Sequence, residues 1–157
     1  MKNTKGYTLV ELIVVLLLLS VILIGVYGTL ITGNNIYIRD ITLLDMEQQT
    51  RNAVDRIVRE VRQASSQVIT TNFNNTTNDK IVFTIPTATG IQYYLSGTNL
   101  VREYPAGTIR NVASNISLLK FTLTSSLLQI QVRADKVIYS TNTISFPLVE
   151  KVRLRNE

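Results

Sequence analysis

Residues 1–31 read MKNTKGYTLVELIVVLLLLSVILIGVYGTLI, and the architecture turns on this stretch. Leu12 to Ile31 contains only Ser20 and Thr29 as plainly polar members, and no formal charge returns until Arg39. At about 1.5 Å per residue, a helix of that length crosses a hydrocarbon core of about 30 Å. The run therefore reads as a membrane segment. Lys2 and Lys5 precede it, so the positive-inside rule predicts a cytoplasmic N-terminus and everything after about Gly33 outside. A secretory signal peptide has a shorter apolar part, about 7 to 15 residues, and a small-x-small cleavage site, of which Val26-Tyr27-Gly28 is a poor version. A plain signal anchor accounts for length and orientation but gives no reason for Gly6 or Glu11. An ionised residue at the centre of a membrane helix costs about 2.5 to 3.5 kcal/mol on insertion scales, so an acid at the edge of one calls for a partner.

The chain has 157 residues, which suits one domain and an appendage. It has no Cys and no His, which excludes disulfides, thiol nucleophiles, the Ser-His-Asp triad and nearly all zinc chemistry. The net charge of +5 is shared between the leading lysines and a mildly basic remainder, so by itself it does not indicate a nucleic-acid partner.

Beyond a break allowed at Gly33-Asn34-Asn35, Ala53, Val54, Ile57, Val58, Val61, Ala64 and Val68 recur at helical steps and form one apolar stripe. Arg51, Asp55 and Arg59, with Arg56 and Glu60, form i,i+4 pairs on a solvated face, each worth about 0.2 to 0.5 kcal/mol. Gly25 and Gly28 make the membrane half a place for bending. The Asn-rich segment 70–79 reads as a loop. Strands are predicted over 80–85, 91–95, 100–104, 117–124, 127–134 and 144–154, the last interrupted by Pro147 and so placed at an edge or bulge. The expected fold class is α+β: a long N-terminal helix whose exposed half packs on an antiparallel sheet.

Gly6-Tyr7-Thr8-Leu9-Val10-Glu11-Leu12, after a short basic leader and before a long apolar helix, resembles the prepilin-type cleavage and methylation motif of type IV pilins and pseudopilins. The resemblance implies a prepilin peptidase that cuts after Gly6 and methylates the new amine of Tyr7, where most members have Phe. It implies that Glu11 meets the N-terminal amine of a neighbouring subunit, which would restore a carboxylate costly to leave unpaired in a dry bundle and would fix register. The segments RNAVDRIVREVRQAS, GTNLVRE and VRLRN resemble W-type minor pilins and J-type minor pseudopilins. The implied organisation is a cleaved leader at 1–6, a transmembrane and assembly helix at 7–31, its exposed amphipathic half at 32–69 and a sheet domain at 70–157.

On that resemblance the chain is a structural subunit of a type IV pilus, a secretion pseudopilus or a competence pseudopilus, with no enzymatic activity, cofactor or metal. Its partners are other pilin subunits, the prepilin peptidase, the cytoplasmic membrane and, indirectly, the assembly platform protein and ATPase. Its place is the cytoplasmic membrane, then the filament. The subunit at a secretion tip tends to lack the Glu, so Glu11 implies a neighbour above. Two alternatives remain. A plain anchored extracellular protein needs no processing. A DNA-binding pseudopilin would use Lys151, Arg153 and Arg155 on one strand face, with Tyr93, Tyr94, Tyr104 and Tyr139 to stack bases; the three cations equally suit an edge that discourages strand pairing. Asp79, Glu103, Asp135 and Glu150 stand singly, with no close set for acid–base work and no Asp-rich calcium loop.

Overall fold

The computed structural model describes residues 8–139 and 142–154. The chain divides into two units, one ending at Asp40 and the other beginning at Ile41. A single helix, α1 (Leu9–Val61), contributes to both. Gly6, Tyr7 and Arg155, as well as Lys2 and Lys5, lie outside the described residues.

In the first unit every described residue of α1 is exposed, and its apolar length is enough to cross a membrane. The few hydroxyls of this segment bond to their own backbone. Ser20 Oγ donates to the Leu17 carbonyl at 2.7 Å, Thr29 Oγ1 to Val26 at 2.8 Å and Thr32 Oγ1 to Gly28 at 3.0 Å. In hydrocarbon, where no water competes for them, such bonds keep these polar groups satisfied. The helix passes unbroken through Gly25 and Gly28, and through Gly33-Asn34-Asn35 where the sequence allowed a break. Glycine costs about 1 kcal/mol per site in a helix. Opening the ladder in an apolar medium costs several kcal/mol per unsatisfied group, which is more.

In the second unit the remaining turns of α1 bury Ala53, Val54, Ile57, Val58 and Val61 of the stripe expected from spacing, and Met46 and Thr50 ahead of it. The stripe ends earlier than the 32–69 boundary implied. After Val61 the chain tightens, with Gln63 N–H on the Glu60 carbonyl and Ala64 N–H on that of Val61, and Ser65 N–H then bonds the Thr84 carbonyl at 2.8 Å. That last bond leads into a strand, β1 (Ser66–Thr70), so Val68 leaves the helical stripe and is largely exposed. Serine and a run of β-branched residues favour this extended course over another helical turn.

Strands β2 (Lys80–Ile85), β3 (Ala88–Ser96), β4 (Asn99–Glu103), β6 (Ile116–Thr124), β7 (Leu127–Ile138) and β8 (Asn142–Arg153) coincide with the predicted runs to within a few residues. β1 and β5 (Ile109–Ala113) were not anticipated; both are edge strands, and β5 is exposed over its first three residues, so its pattern shows no strong alternation. The single expected sheet is two antiparallel sheets, in the orders β1-β2-β3-β4-β5 and β6-β7-β8. Pro147 sits in β8, an edge strand, where a missing N–H is tolerated.

The sheets are tied together just before β2. Asp79 N–H donates to the Leu119 carbonyl at 2.8 Å, Asn78 Oδ1 accepts from Leu119 N–H at 2.9 Å and Asp79 Oδ2 accepts from Phe121 N–H at 3.0 Å. Asn78-Asp79 thus acts as a short strand against β6, with a buried carboxylate standing in for a peptide carbonyl. The helix, Ile81, Phe83, Ile91, Tyr93 and Leu100 of one sheet, and Leu119, Phe121, Leu128, Ile130 and Val132 of the other share one core. Ile57 is fully buried in it. Ile57→Ala is expected to lower the stability of the second unit by about 2 to 5 kcal/mol, read as a fall in the thermal or urea midpoint of the detergent-solubilised chain by tyrosine fluorescence. An Asp55→Ala control on the exposed face is expected to stay within about 0.5 kcal/mol of the parent.

Candidate assembly site at the helix start and the helix–sheet latch

Thr8 and Glu11 form a reciprocal pair at the first turn of α1. Glu11 N–H donates to Thr8 Oγ1 at 3.3 Å, and Thr8 N–H donates to Glu11 Oε2 at 3.5 Å. Both bonds are long, and together they have the pattern of a capping box, in which two of the four orphan N–H groups at a helix start are satisfied by side chains. The helix dipole adds a favourable field for a carboxylate in that turn. Within the single chain, Glu11 therefore has a role before any neighbour arrives. The sequence reading missed Thr8, although Thr-x-x-Glu ahead of an apolar run is the signature of such a cap.

The second feature involves the GTNLVRE segment. Gly97 takes φ +62° in the two-residue turn between β3 and β4, a conformation that glycine adopts without strain. Leu100 and Val101 are buried. Arg102 Nε reaches both carboxylate oxygens of Glu60, at 3.1 and 3.0 Å, and its guanidinium lies 5.6 Å from the centre of the Tyr104 ring. Arg56 shares the same carboxylate at 3.5 Å. The Glu60 and Arg56 pair, expected to be solvated, is thus half-buried and latches the last turn of α1 to β4. On the helix face Arg51 pairs with Glu47 at 2.8 Å rather than with Asp55, the order with the acid toward the N-terminus being the more favourable one.

Glu103, next in the same strand, accepts from Gly107 N–H at 2.9 Å and from the Tyr94 hydroxyl at 3.0 Å. These two donors, the Gly107 N–H first, hold its carboxyl below the usual glutamate range. Tyr94 in turn packs edge-on against Phe73 at 5.3 Å, with Lys80 Nζ over both rings at 4.8 and 5.4 Å.

Lys151 and Arg153 are exposed on β8, alternating with buried Val152 and Leu154. The proposed stacking tyrosines do not join them. Tyr93 is fully buried and stacked on Phe83 at 6.0 Å, while Tyr94 and Tyr104 serve the contacts just described in the other sheet. Tyr139 follows Ile138, which pairs with Asn142, whereas Lys151 pairs with Gln129 near the far end of the same ladder. Sequence alternation put Lys151 and Arg153 on one strand face, where they are exposed, but could not show that folding separates the rings from them. Among the described residues no group of three or more Asp or Glu could hold a metal ion. Asp79, Glu103 and Asp135 are each committed to bonds within the fold, Asp79 to Phe121 N–H, Glu103 to Gly107 N–H and Asp135 to Arg133 at 3.0 Å.

Residues 1–27 match the family model described as Prokaryotic N-terminal methylation motif. No curated protein and no solved structure matches the chain. The motif, together with a long N-terminal helix packed on antiparallel β-structure, is consistent with the type IV pilin superfamily in general.

A depressed carboxyl stabilises the fold above its unfolded value and loses that contribution as pH falls through its folded value. Glu103 is therefore expected to contribute fully above the ordinary glutamate value of about 4.3 and progressively less on acidification. Tyr94→Phe removes one donor, so the folded Glu103 value is expected to rise toward the ordinary one and the acid-limb slope of stability to flatten; NMR titration of the Glu103 side chain and unfolding midpoints on the acid side test both.

Proposed function

We propose that this protein is a minor pilin or pseudopilin, a structural subunit stored in the cytoplasmic membrane and assembled into a thin filament through its N-terminal helix. The observation that carries the reading is the methylation motif at residues 1–27 running into a capped helix whose first-unit part is apolar and exposed and whose second-unit part packs on a β-sheet head. In this reading residues 1–6 are a leader removed by a prepilin peptidase, residues 7–31 the membrane and assembly segment, and the N-terminus faces the cytoplasm.

Cleavage after Gly6 would leave Tyr7 as a cationic, methylated amine, with Thr8 and Glu11 in the first turn beyond it. The Glu11 carboxylate, oriented by the Thr8 contacts, would then meet the amine of a neighbouring subunit. An opposite charge removes the penalty that an isolated acid carries in a dry bundle, and a misregistered neighbour would leave both charges stranded. The helix latch fits the W-type minor pilin or J-type minor pseudopilin resemblance, since its Arg102 lies in the strand that carries that likeness. The head would present the surface toward other minor subunits.

Intact-mass and N-terminal analysis of membrane-extracted protein, with and without a prepilin peptidase, tests this reading. The expected product begins at Tyr7 and carries one added methyl group only when the peptidase is present, and Gly6→Leu is expected to abolish the conversion. Persistence of Met1, or a cut near Gly28, would leave an ordinary anchored or secreted protein instead.

A further inference from the structure

In an antiparallel ladder alternate residues turn both backbone groups toward the same neighbour, so the free edges of the β6-β7-β8 sheet can be read residue by residue. Leu154 N–H bonds the Ser126 carbonyl at 2.8 Å, and the β7–β8 register carries that parity along β8. Its even-numbered residues therefore bond β7, while Pro147, Lys151 and Arg153 turn their backbones outward. The N–H that proline lacks falls on the free edge, and two cations follow it along the strand. Both devices discourage a further strand, so this edge is guarded.

The opposite edge is guarded only in part. Leu119 N–H and C=O and the Phe121 N–H face away from β7 and are taken by Asn78-Asp79. The same alternation turns the Phe121 carbonyl and both backbone groups of Leu123 outward, and no bond among the described residues takes them. Residues 118–124 contain no proline and keep one register with β7. Beyond Asn78-Asp79 the edge thus offers an acceptor, a donor and an acceptor in ladder spacing, a set that a further extended backbone completes.

Phe121 and Leu123 also line a cleft of about 520 Å³ between β6 and β1, with Ile69 on the β1 wall. A strand seated there sets every second side chain against Ile69, Phe121 and Leu123 and turns the others toward Lys120 and Thr122 on the opposite face. Lys120 is exposed and has no ion pair among the described residues. Asp79, the acid that lines the cleft, already accepts from Asn72 and Phe121 N–H, at 3.2 and 3.0 Å, through its two oxygens. An acidic side chain beside Lys120 is therefore favoured and a basic one repelled. We propose that the β6 edge over residues 121–123 is a strand-addition site for an extended segment of a partner protein in which apolar residues alternate with Asp or Glu. The site lies wholly within the second unit and stands independently of the filament reading.

The probes are two capped heptapeptides, SVEVEVS and SVKVKVS, added to the full-length chain in detergent micelles and followed by amide NMR and hydrogen exchange. SVEVEVS is expected to shift the amides of residues 121–124 and to protect Leu123 N–H, which exchanges quickly in the chain alone, whereas Thr122 N–H, directed at β7, is protected throughout. Binding of SVKVKVS is expected to be about three-fold weaker, a gap that narrows as salt is raised and reverses in Lys120→Glu. Leu123→Pro removes the outward donor without removing a β7 bond, as Pro147 does on the other edge, and is expected to weaken SVEVEVS binding about five- to ten-fold. Should that variant not fold, exchange of Leu123 N–H in the parent chain decides. No protection of Leu123 N–H by SVEVEVS, undiminished binding to a folded Leu123→Pro, or a preference for SVKVKVS overturns the proposal. Protection that grows with protein concentration before any peptide is added assigns the edge to a second copy and overturns the partner named here.

Discussion

One uninterrupted hydrogen-bonded helix carries two kinds of surface, an apolar one long enough to cross a membrane and an amphipathic one, and most of this protein follows from that constraint. Its first thirty residues or so show mostly apolar side chains on every side, a surface suited to a low-dielectric surrounding, in which every backbone group must be satisfied within the helix itself. Farther along, the same backbone keeps its geometry while its side chains become amphipathic and one stripe is buried under two sheets. Because propagation of a helix is cooperative once nucleated, the glycines and the Gly33-Asn34-Asn35 stretch lower its stability locally without interrupting it.

The ends of this helix are held by polar contacts of different kinds. At the start, Thr8 and Glu11 exchange bonds across the first turn, so the acid that looks out of place beside a membrane segment has a local function as well as the intersubunit one proposed for it. At the other end, Glu60 collects Arg102 and Arg56, and burial of Tyr93 beside it pushes that hydroxyl well above its ordinary range, desolvation first and the Glu60 charge second. A partly buried pair of this kind is modest evidence for stability, since desolvation offsets much of the attraction. Its geometric consequence is plain: one Arg102 Nε–H shared by both Glu60 oxygens joins the last helical turn to β4 and sets where the helix stops relative to the strand.

Much of the fold could be read in advance because the signals were periodic and local. The apolar stripe from Ala53 to Val61 declared the buried face, and alternation in Leu128, Ile130 and Val132 against Gln129, Gln131 and Arg133 declared a half-buried strand. The edge strands β1 and β5 escaped notice because one short side of each is wet and little of the pattern is left. Thr8 is legible as the first member of Thr-x-x-Glu, a local signal that the intersubunit role implied for Glu11 does not call on.

What the sequence determined by itself was a helix long and apolar enough to cross a membrane, the N-terminal methylation motif and the approximate location of six strands, all of them properties of neighbouring residues. Only tertiary structure decided that the strands divide into two sheets, that Asn78-Asp79 closes the edge of β6, and that Arg102 reaches back 42 positions to Glu60. It also decided that Tyr93 belongs to the core while Lys151 and Arg153 stay on an edge, which separates the aromatic and cationic groups that composition had suggested as one surface. The physical reason is common to these cases. Periodicity reports which face of an element is apolar, but the partner of a buried polar group is fixed by the packing of elements distant in the chain.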